Sequence, residues 1–350
     1  MSVVSHRAMS DSSDEGDELP VVVATSVIRS TYQGQSHGGV YLVDLERGRS
    51  TLQVDWHEAG IDWEGRGGDR GLRGLAFHDG EVYLAASDEI FVYDVEFNLL
   101  RSFTNPYLKH CHEIDIADGR LYLSSCGFDS ILVYDLSARR FTDGYCLRST
   151  PISRTLRKAV NRGFSRLGGG TVPPKLVLNH FNPNRDGGPK ALDTLHINSV
   201  TARGGAIYFS GTQLSALYRI YGGRLAVQAS LPVGTHNAQL FNGGVILNDT
   251  VGDAVRYQGL EGKLKRAFPV PSFSSEDLRN VELSQGVARP SFGRGLCVWR
   301  DRYLIAGSSP ASISVHDMDT GATVRTVNLS SDVRNAVHGL EVWPFAPAGD

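Results

Sequence analysis

One pattern recurs five times along the chain and constrains its fold more than any other feature. Each copy reads as a short strand, a tight turn and a second short strand, and the copies lie at 73–84, 112–123, 198–209, 236–247 and 294–305. Four of the five turns contain Asp-Gly, Gly-Gly or Asn-Gly-Gly, residues that accept the positive φ of a hairpin turn. The chain therefore predicts five equivalent β-hairpins.

A third strand-like segment follows each hairpin. The segments at 90–95, 131–136 and 313–318 match closely, those at 216–220 and 254–257 are looser, and a fourth short strand follows most of them. The repeat spans 39 residues from Arg73 to His112 and 38 from Asn198 to His236. Four antiparallel strands in about 40 residues are typical of one blade of a β-propeller.

The two ends of the chain complement each other. Strand-like segments at 21–25, 39–44 and 51–55 supply the second, third and fourth strands of a blade, and residues 338–343 supply a first strand. Such closure removes the exposed sheet edges of an open array. The sequence predicts an all-β fold over 19–350: a six-bladed propeller closed by its C-terminal strand, with one helical insertion. A β-sandwich or two smaller barrels would not explain the fixed period.

The first strand of every blade lines the central channel, so its opening residue recurs around one mouth. This ring consists of Arg73, His112, Asn198, His236, Arg294 and His338. His110 and His196 each precede a ring residue by two positions, which places them on the same face of a strand. The repeat thus predicts a cluster of histidines and arginines on one axis.

Histidine is the commonest side-chain ligand of Zn, Fe and Mn, and three or four imidazoles can hold a divalent ion with an open position. The predicted metal ligands are His112, His236 and His338, with His196 or His110 as a fourth. The predicted substrate-binding residues are Arg73, Arg294, Asn198, Asn237 and Glu113, with Glu341 nearby. Arginine binds carboxylate, phosphate or sulfate through two parallel hydrogen bonds.

These residues favour a metal-dependent enzyme that acts on a small anionic substrate as a lyase, a hydrolase or an oxygenase. A non-catalytic propeller that binds a protein partner or a small ligand is the alternative, and a polar channel that bonds only water and backbone is a third interpretation. The sequence has no H-E-x-x-H motif and no G-x-S-x-G motif, so neither a helical zinc motif nor a serine nucleophile elbow is indicated.

Residues 146–192 form a basic insertion between the third and fourth blades. It contains nine Lys and Arg residues and one acid, Asp186, which gives 9 − 1 = +8. Its apolar residues at 152, 156, 160, 164 and 167 follow the spacing of one helix face. The segment predicts a cationic lid, a peripheral contact with anionic lipid or protein, or a helix packed on the propeller.

Composition argues against nucleic-acid binding, membrane spanning and secretion. The net charge is −3, whereas a nucleic-acid-binding surface needs an excess of basic residues. No apolar run approaches the roughly 18 residues of a membrane span, and residues 1–18 predict a disordered acidic tail rather than a secretory signal. The four cysteines form no C-x-x-C pair, which is typical of reduced thiols in a cytoplasmic protein.

Four short motifs carry a resemblance to known propellers. They are His-Cys-His-Glu-Ile-Asp at 110–115, Leu-His-Ile-Asn at 195–198, Thr-His-Asn at 235–237 and Phe-Gly-Arg-Gly-Leu at 292–296. They resemble the blade motifs of an uncharacterised bacterial family of conserved hypothetical propeller proteins, which implies the fold but no activity. The segment at Asn198 is also distantly similar to the Pro-Asn-Gly motif of gluconolactonase-type enzymes. Their central ion is held by Glu, Asn and Asp, whereas most ring positions here are His or Arg.

Overall fold

The computed structural model of the chain describes residues 18–32, 34–57, 71–149, 173–283 and 289–345. Within these ranges the strands form six antiparallel sheets. Blade one contains β1 (Val21–Ile28), β2 (Gly39–Asp44) and β3 (Arg49–Asp55). Blade two contains β4 (Leu75–His78), β5 (Glu81–Ala86), β6 (Glu89–Tyr93) and β7 (Leu99–Thr104). Blade three contains β8 (Ile114–Ala117), β9 (Arg120–Ser125), β10 (Ser130–Asp135), β11 (Arg140–Ser149) and β12 (Leu176–Phe181).

The second half of the chain repeats this order. Blade four contains β13 (Ile197–Arg203), β14 (Ala206–Gly211), β15 (Ala216–Tyr221) and β16 (Arg224–Ser230). Blade five contains β17 (Thr235–Phe241), β18 (Gly244–Asp249), β19 (Ala254–Gly259) and β20 (Leu264–Pro269). Blade six contains β21 (Leu296–Trp299), β22 (Tyr303–Ser308), β23 (Ser312–Asp317) and β24 (Thr323–Asn328). The predicted six-bladed propeller is confirmed.

The last strand of the chain completes blade one and so closes the propeller, as the repeat predicted. β25 (Asn335–Val342) pairs antiparallel with β1, so blade one has the order β25-β1-β2-β3. Beyond β25, Trp343 donates its backbone N–H to the carbonyl of Val21 and stacks on Phe97 at 5.5 Å between ring centroids. Backbone pairing and aromatic packing therefore both join the C-terminal segment to blades one and two.

The hydrophobic core lies between neighbouring blades. For example, Val43 of blade one packs with Ile305, Ile313 and Val315 of blade six. Burial decreases from the inside outward, because the second strands face blades on both sides while the outermost strands face solvent. None of the helical turns in the described part of the chain has the length and apolarity that a membrane-spanning helix needs.

Part of the predicted insertion belongs to blade three. Residues 146–149 end β11, and β12 pairs antiparallel with β11 as a fifth, outermost strand. This strand was not predicted from the sequence because it has no counterpart in the repeat. The predicted helix at 152–167 and nearly all of the predicted acidic tail lie outside the described residues.

Glycines on the innermost strands let neighbouring blades approach at the axis. Gly74 donates its N–H to the carbonyl of His112 at 2.6 Å, and a Cβ at Gly74 would lie 2.6 Å from both that oxygen and the Cα of Glu113. At Gly339, a Cβ would lie 2.3 Å from the carbonyl oxygen of Arg73. The glycine of the recurring x-Gly-Leu segment is therefore required by backbone contact between blades.

Gly74→Ala is expected to lower the free energy of unfolding by about 2 kcal/mol, because overpacking against rigid backbone typically costs 1–3 kcal/mol. Urea denaturation followed by circular dichroism measures the change. Gly259→Ala is the matched control, since its Cβ would meet nothing closer than 3.8 Å. Equal losses in both variants would show that the close approach at Gly74 is unimportant.

Candidate metal and anion site at one mouth of the channel

The structure places the ring residues on the inner strands or directly before them. Arg73, His112, Asn198, His236 and His338 are all buried, and Arg294 is partly exposed. The ring centroid of His112 lies 5.1 Å from that of His196 and 6.0 Å from that of His338. Side chains from blades one, three and four thus converge at one mouth, as expected from their repeat positions.

One group of three metal-ligating side chains stands out. The ligand atoms of His112, Cys126 and His196 all lie within 4.8 Å of one another, and this is the one such group within the described residues. We call it the His-Cys-His triad. Two of the predicted ligands belong to it, whereas His236, His338 and His110 lie outside it.

Cys126 was not among the predicted ligands. It lies in the short 3₁₀ turn Cys126–Phe128 between β9 and β10, near the start of the inner strand β8, because β9 runs antiparallel to β8. Its thiol is fully buried and donates to the carbonyl of Ile197 at 2.7 Å. Burial raises the pKa of this thiol well above its usual range. The spacing from His112 fits no metal motif, so the sequence carried no signal for it.

A carboxylate orients one of the triad histidines. His196 Nδ1 donates to Asp193 Oδ1 at 3.0 Å, so Nε2 is the ring atom that can bind a metal. His110 Nδ1 lies 3.9 Å from the other oxygen of Asp193. Burial acts to raise the pKa of Asp193, but the neighbouring imidazoles of His110 and His196 outweigh this and hold that pKa well below the usual range. A carboxylate behind a ligand histidine is the usual outer shell of a protein metal site.

A second, fully buried carboxylate holds the loop that carries this pair. Asp129 accepts hydrogen bonds from the backbone N–H and hydroxyl of Thr194 at 3.0 and 2.7 Å, and from the N–H of Leu195 at 2.8 Å. Asp193 and His196 both adopt positive φ, at 44° and 51°. Such φ values are uncommon for residues other than glycine and mark a conformation that the surroundings impose. Asp129 therefore fixes the backbone that presents His196.

Two histidines accept hydrogen bonds from arginine side chains. Arg73 Nη1 donates to His112 Nε2 at 2.8 Å, and Arg294 Nη1 donates to His338 Nε2 at 2.8 Å. Burial first, and then the arginine charges, lower the pKa of His112 and His338 well below the usual range. Both imidazoles are therefore uncharged at neutral pH.

His236 differs from these two. Its Nδ1 lies 3.1 Å from the carbonyl oxygen of Gly234, which can only accept, so Nδ1 carries the proton. Burial and then the charge of Arg294 lower the pKa of His236 well below its usual range. Nε2 is buried and has no hydrogen-bond partner among the described residues. The uncharged ring therefore presents an unused acceptor.

The His236 side chain lines a pocket of about 490 Å³. Its other lining side chains include His196, Phe292 and Arg294, the hydroxyl residues Thr194, Thr212 and Thr250, and the carboxylate of Asp193. The ring of Phe292 has three guanidinium groups within 5.8 Å of its centroid, those of Arg29, Arg289 and Arg294. Arg289 is paired with Asp253 at 2.7 Å. The arginine charges gathered around Phe292 therefore favour an anionic ligand at Arg294, although the Asp193 carboxylate lines the same pocket.

Carboxyl groups lie farther along the same inner strands. Glu113, Asp115 and Glu341 line a separate pocket of about 270 Å³. Asn237 Nδ2 donates to Glu113 Oε1 at 2.9 Å across the channel. Burial, together with the charge of Glu341, raises the pKa of Glu113 to about 8 despite that hydrogen bond, and burial raises the pKa of Glu341 to about 8. The channel therefore has a cationic end and an end with carboxyl groups.

Three of the predicted substrate-binding residues make contacts within the protein. Asn198 Nδ2 donates to the carbonyl of Thr235 at 3.2 Å, and Asn237 joins Glu113 to the backbone N–H of Gly295. Glu113 and Asn237 line the pocket at the carboxyl end rather than the pocket beside His236. These bonds join different blades across the channel.

No protein-family profile and no curated protein matches the chain. Among solved structures it is similar to the WD40 β-propeller domain of Doa1, at 12% identity over 75% of this chain and 70% of that one, with a TM-score of 0.43. It is similar to a protein of unknown function from Bacteroides caccae, at 10% identity over 92% and 98%, with a TM-score of 0.49. The computationally designed protein Ika8 has 12% identity over 94% and 92%, with a TM-score of 0.46. Likeness at this level assigns no function, and the fold is established by the sheet pairing itself.

Proposed function

We propose that this protein is a metal-dependent enzyme that acts on a small anionic substrate at the cationic mouth of its channel. One observation carries the proposal: the ligand atoms of His112, Cys126 and His196 lie within 4.8 Å of one another, and Asp193 orients His196 from behind. Two imidazoles and a thiolate are suited to Zn²⁺ or Fe²⁺ and less to Mn²⁺. With three protein ligands, a coordination position is left for a substrate or water.

Metal binding would change two hydrogen bonds in the triad. The Cys126 thiol must lose its proton, which a coordinating divalent ion brings about even where burial raises the pKa. If the ion takes Nε2 of His112, Arg73 must release that atom, because one lone pair cannot serve both. Lyase, hydrolase and oxygenase chemistry all remain compatible with such a site.

Elemental analysis of the purified protein tests the proposal. We expect about one transition-metal ion per chain after incubation with Zn²⁺, Mn²⁺ or Fe²⁺, and a loss of at least about tenfold in occupancy for His196→Ala and Cys126→Ser. His180→Ala is the matched control, because His180 is exposed on β12. A wild-type protein that stays free of metal under all three conditions would overturn the proposal.

A metal-free binding protein for an anionic ligand is the second candidate. It is favoured by the hydrogen bond from Arg73 to His112, which already uses a lone pair that a metal would need. On this alternative, anion affinity is unchanged after removal of metal and falls when Arg294 is replaced by Gln. An enzyme would lose turnover in His196→Ala even where substrate still binds.

A further inference from the structure

We infer that the pocket beside His236 selects a small hydroxy acid, with the acid group bound by Arg294 and a hydroxyl donating to His236 Nε2. The inference names the substrate class of the same mouth and so rests on the proposed function. It rests on the Nε2 atom of His236, which is not part of the His-Cys-His triad.

The protonation of His236 follows from its neighbours. Because Nδ1 must donate to the Gly234 carbonyl at 3.1 Å, the uncharged ring offers only a lone pair at Nε2. That atom is buried and unpartnered among the described residues, while the side chain lines the pocket. A buried acceptor that stays unpaired is costly, so a ligand that brings a donor is favoured over one that does not.

The rest of the pocket determines what else the ligand carries. Arg294 lines the same pocket with its guanidinium 4.9 Å from the centroid of Phe292, and Phe292 meets the ring of His236 at 5.5 Å and 75°. The aromatic ring lies against both polar groups and limits their access to bulk water, which strengthens their interactions with a ligand. Because Arg294 and His236 both line this pocket and both contact Phe292, one small molecule can carry the anion for Arg294 and the hydroxyl for Nε2.

Paired acids that differ by one hydroxyl test this selection. We would measure binding of L-malate and succinate by isothermal titration calorimetry, using protein dialysed free of metal so that chelation by the hydroxyl plays no part. L-malate is expected to bind about tenfold or more tightly than succinate. His236→Phe should remove this difference, His236→Gln should retain part of it through its amide oxygen, and Arg294→Gln should weaken both acids alike.

Equal affinities in the wild type, a preference for malate that survives His236→Phe, or no binding of either acid at millimolar concentration would each overturn the inference. Thermal unfolding of each variant shows whether it is folded, and His236→Gln serves as the variant closest in polarity. The proposed function is judged separately by metal content, so failure of one is distinguishable from failure of the other.

Discussion

Deleting residues 335–350 is expected to prevent the chain from folding. The deletion removes β25, which supplies the inner strand of blade one and pairs with β1 from Val22 to Ile28. Ala336, Val337 and Leu340 are buried in the adjoining core, and β1 would become an open sheet edge facing the channel. A domain has only about 5–15 kcal/mol of net stability, less than the loss of a whole buried strand.

Circular dichroism and size-exclusion chromatography of the shortened chain measure this effect. A chain that ends at residue 345 is the control, because it retains β25 and Trp343. Adding a synthetic peptide of residues 335–345 should restore part of the native signal if closure is the cause. A monomeric, cooperatively unfolding chain that lacks 335–350 would contradict the role given to the closing strand.

Asp129→Ala is expected to cost about 3–5 kcal/mol of stability, because it removes the acceptor of two backbone N–H groups and each such loss costs about 1–3 kcal/mol. The substitution leaves the N–H groups of Thr194 and Leu195 without their acceptor and removes the carboxylate that lies 3.4 Å from Arg148. The loop with the positive φ of Asp193 and His196 would relax. If the His-Cys-His triad binds a metal as proposed, we expect metal occupancy to fall together with the stability.

Chemical denaturation and elemental analysis of the same preparations test both halves of this prediction. Asp129→Asn keeps the size and one acceptor oxygen, so it should lose less stability than Asp129→Ala. A loss below about 1 kcal/mol in Asp129→Ala would show that solvent or other groups replace the carboxylate. Metal retained at wild-type occupancy would show that His196 does not depend on this loop.

The fold was predictable from the sequence because its determinants are local and repeated. Turn residues such as Asp79-Gly80 and Asp118-Gly119 adopt positive φ in the structure, as their hairpins require. The same strand order then recurs in every blade, and the C-terminal segment starting near His338 fits the only strand missing from the repeat. The convergence of His112 and His338 follows from equal positions in equivalent strands.

The fifth strand of blade three and the role of the buried Asp129 were not predictable in this way. β12 has no counterpart in the other five blades, so no comparison between repeats could reveal it. Asp129 occupies a turn between two strands, where Asp is common for its tolerance of positive φ. Nothing local showed that its carboxylate would receive hydrogen bonds from residues 65 and 66 positions away.

By itself, the sequence determined the period, the number of blades, the closing strand and the type of residue that faces the axis. Tertiary structure decided which of those residues act together, because that depends on contacts between segments far apart in the chain. It brought Cys126 beside His112 and His196. His112 and His338 accept hydrogen bonds from arginines, whereas Nε2 of His236 has no partner among the described residues. Hydrogen-bond direction and distance, which only the packed backbone defines, thus distinguish histidines that occupy similar positions in the sequence.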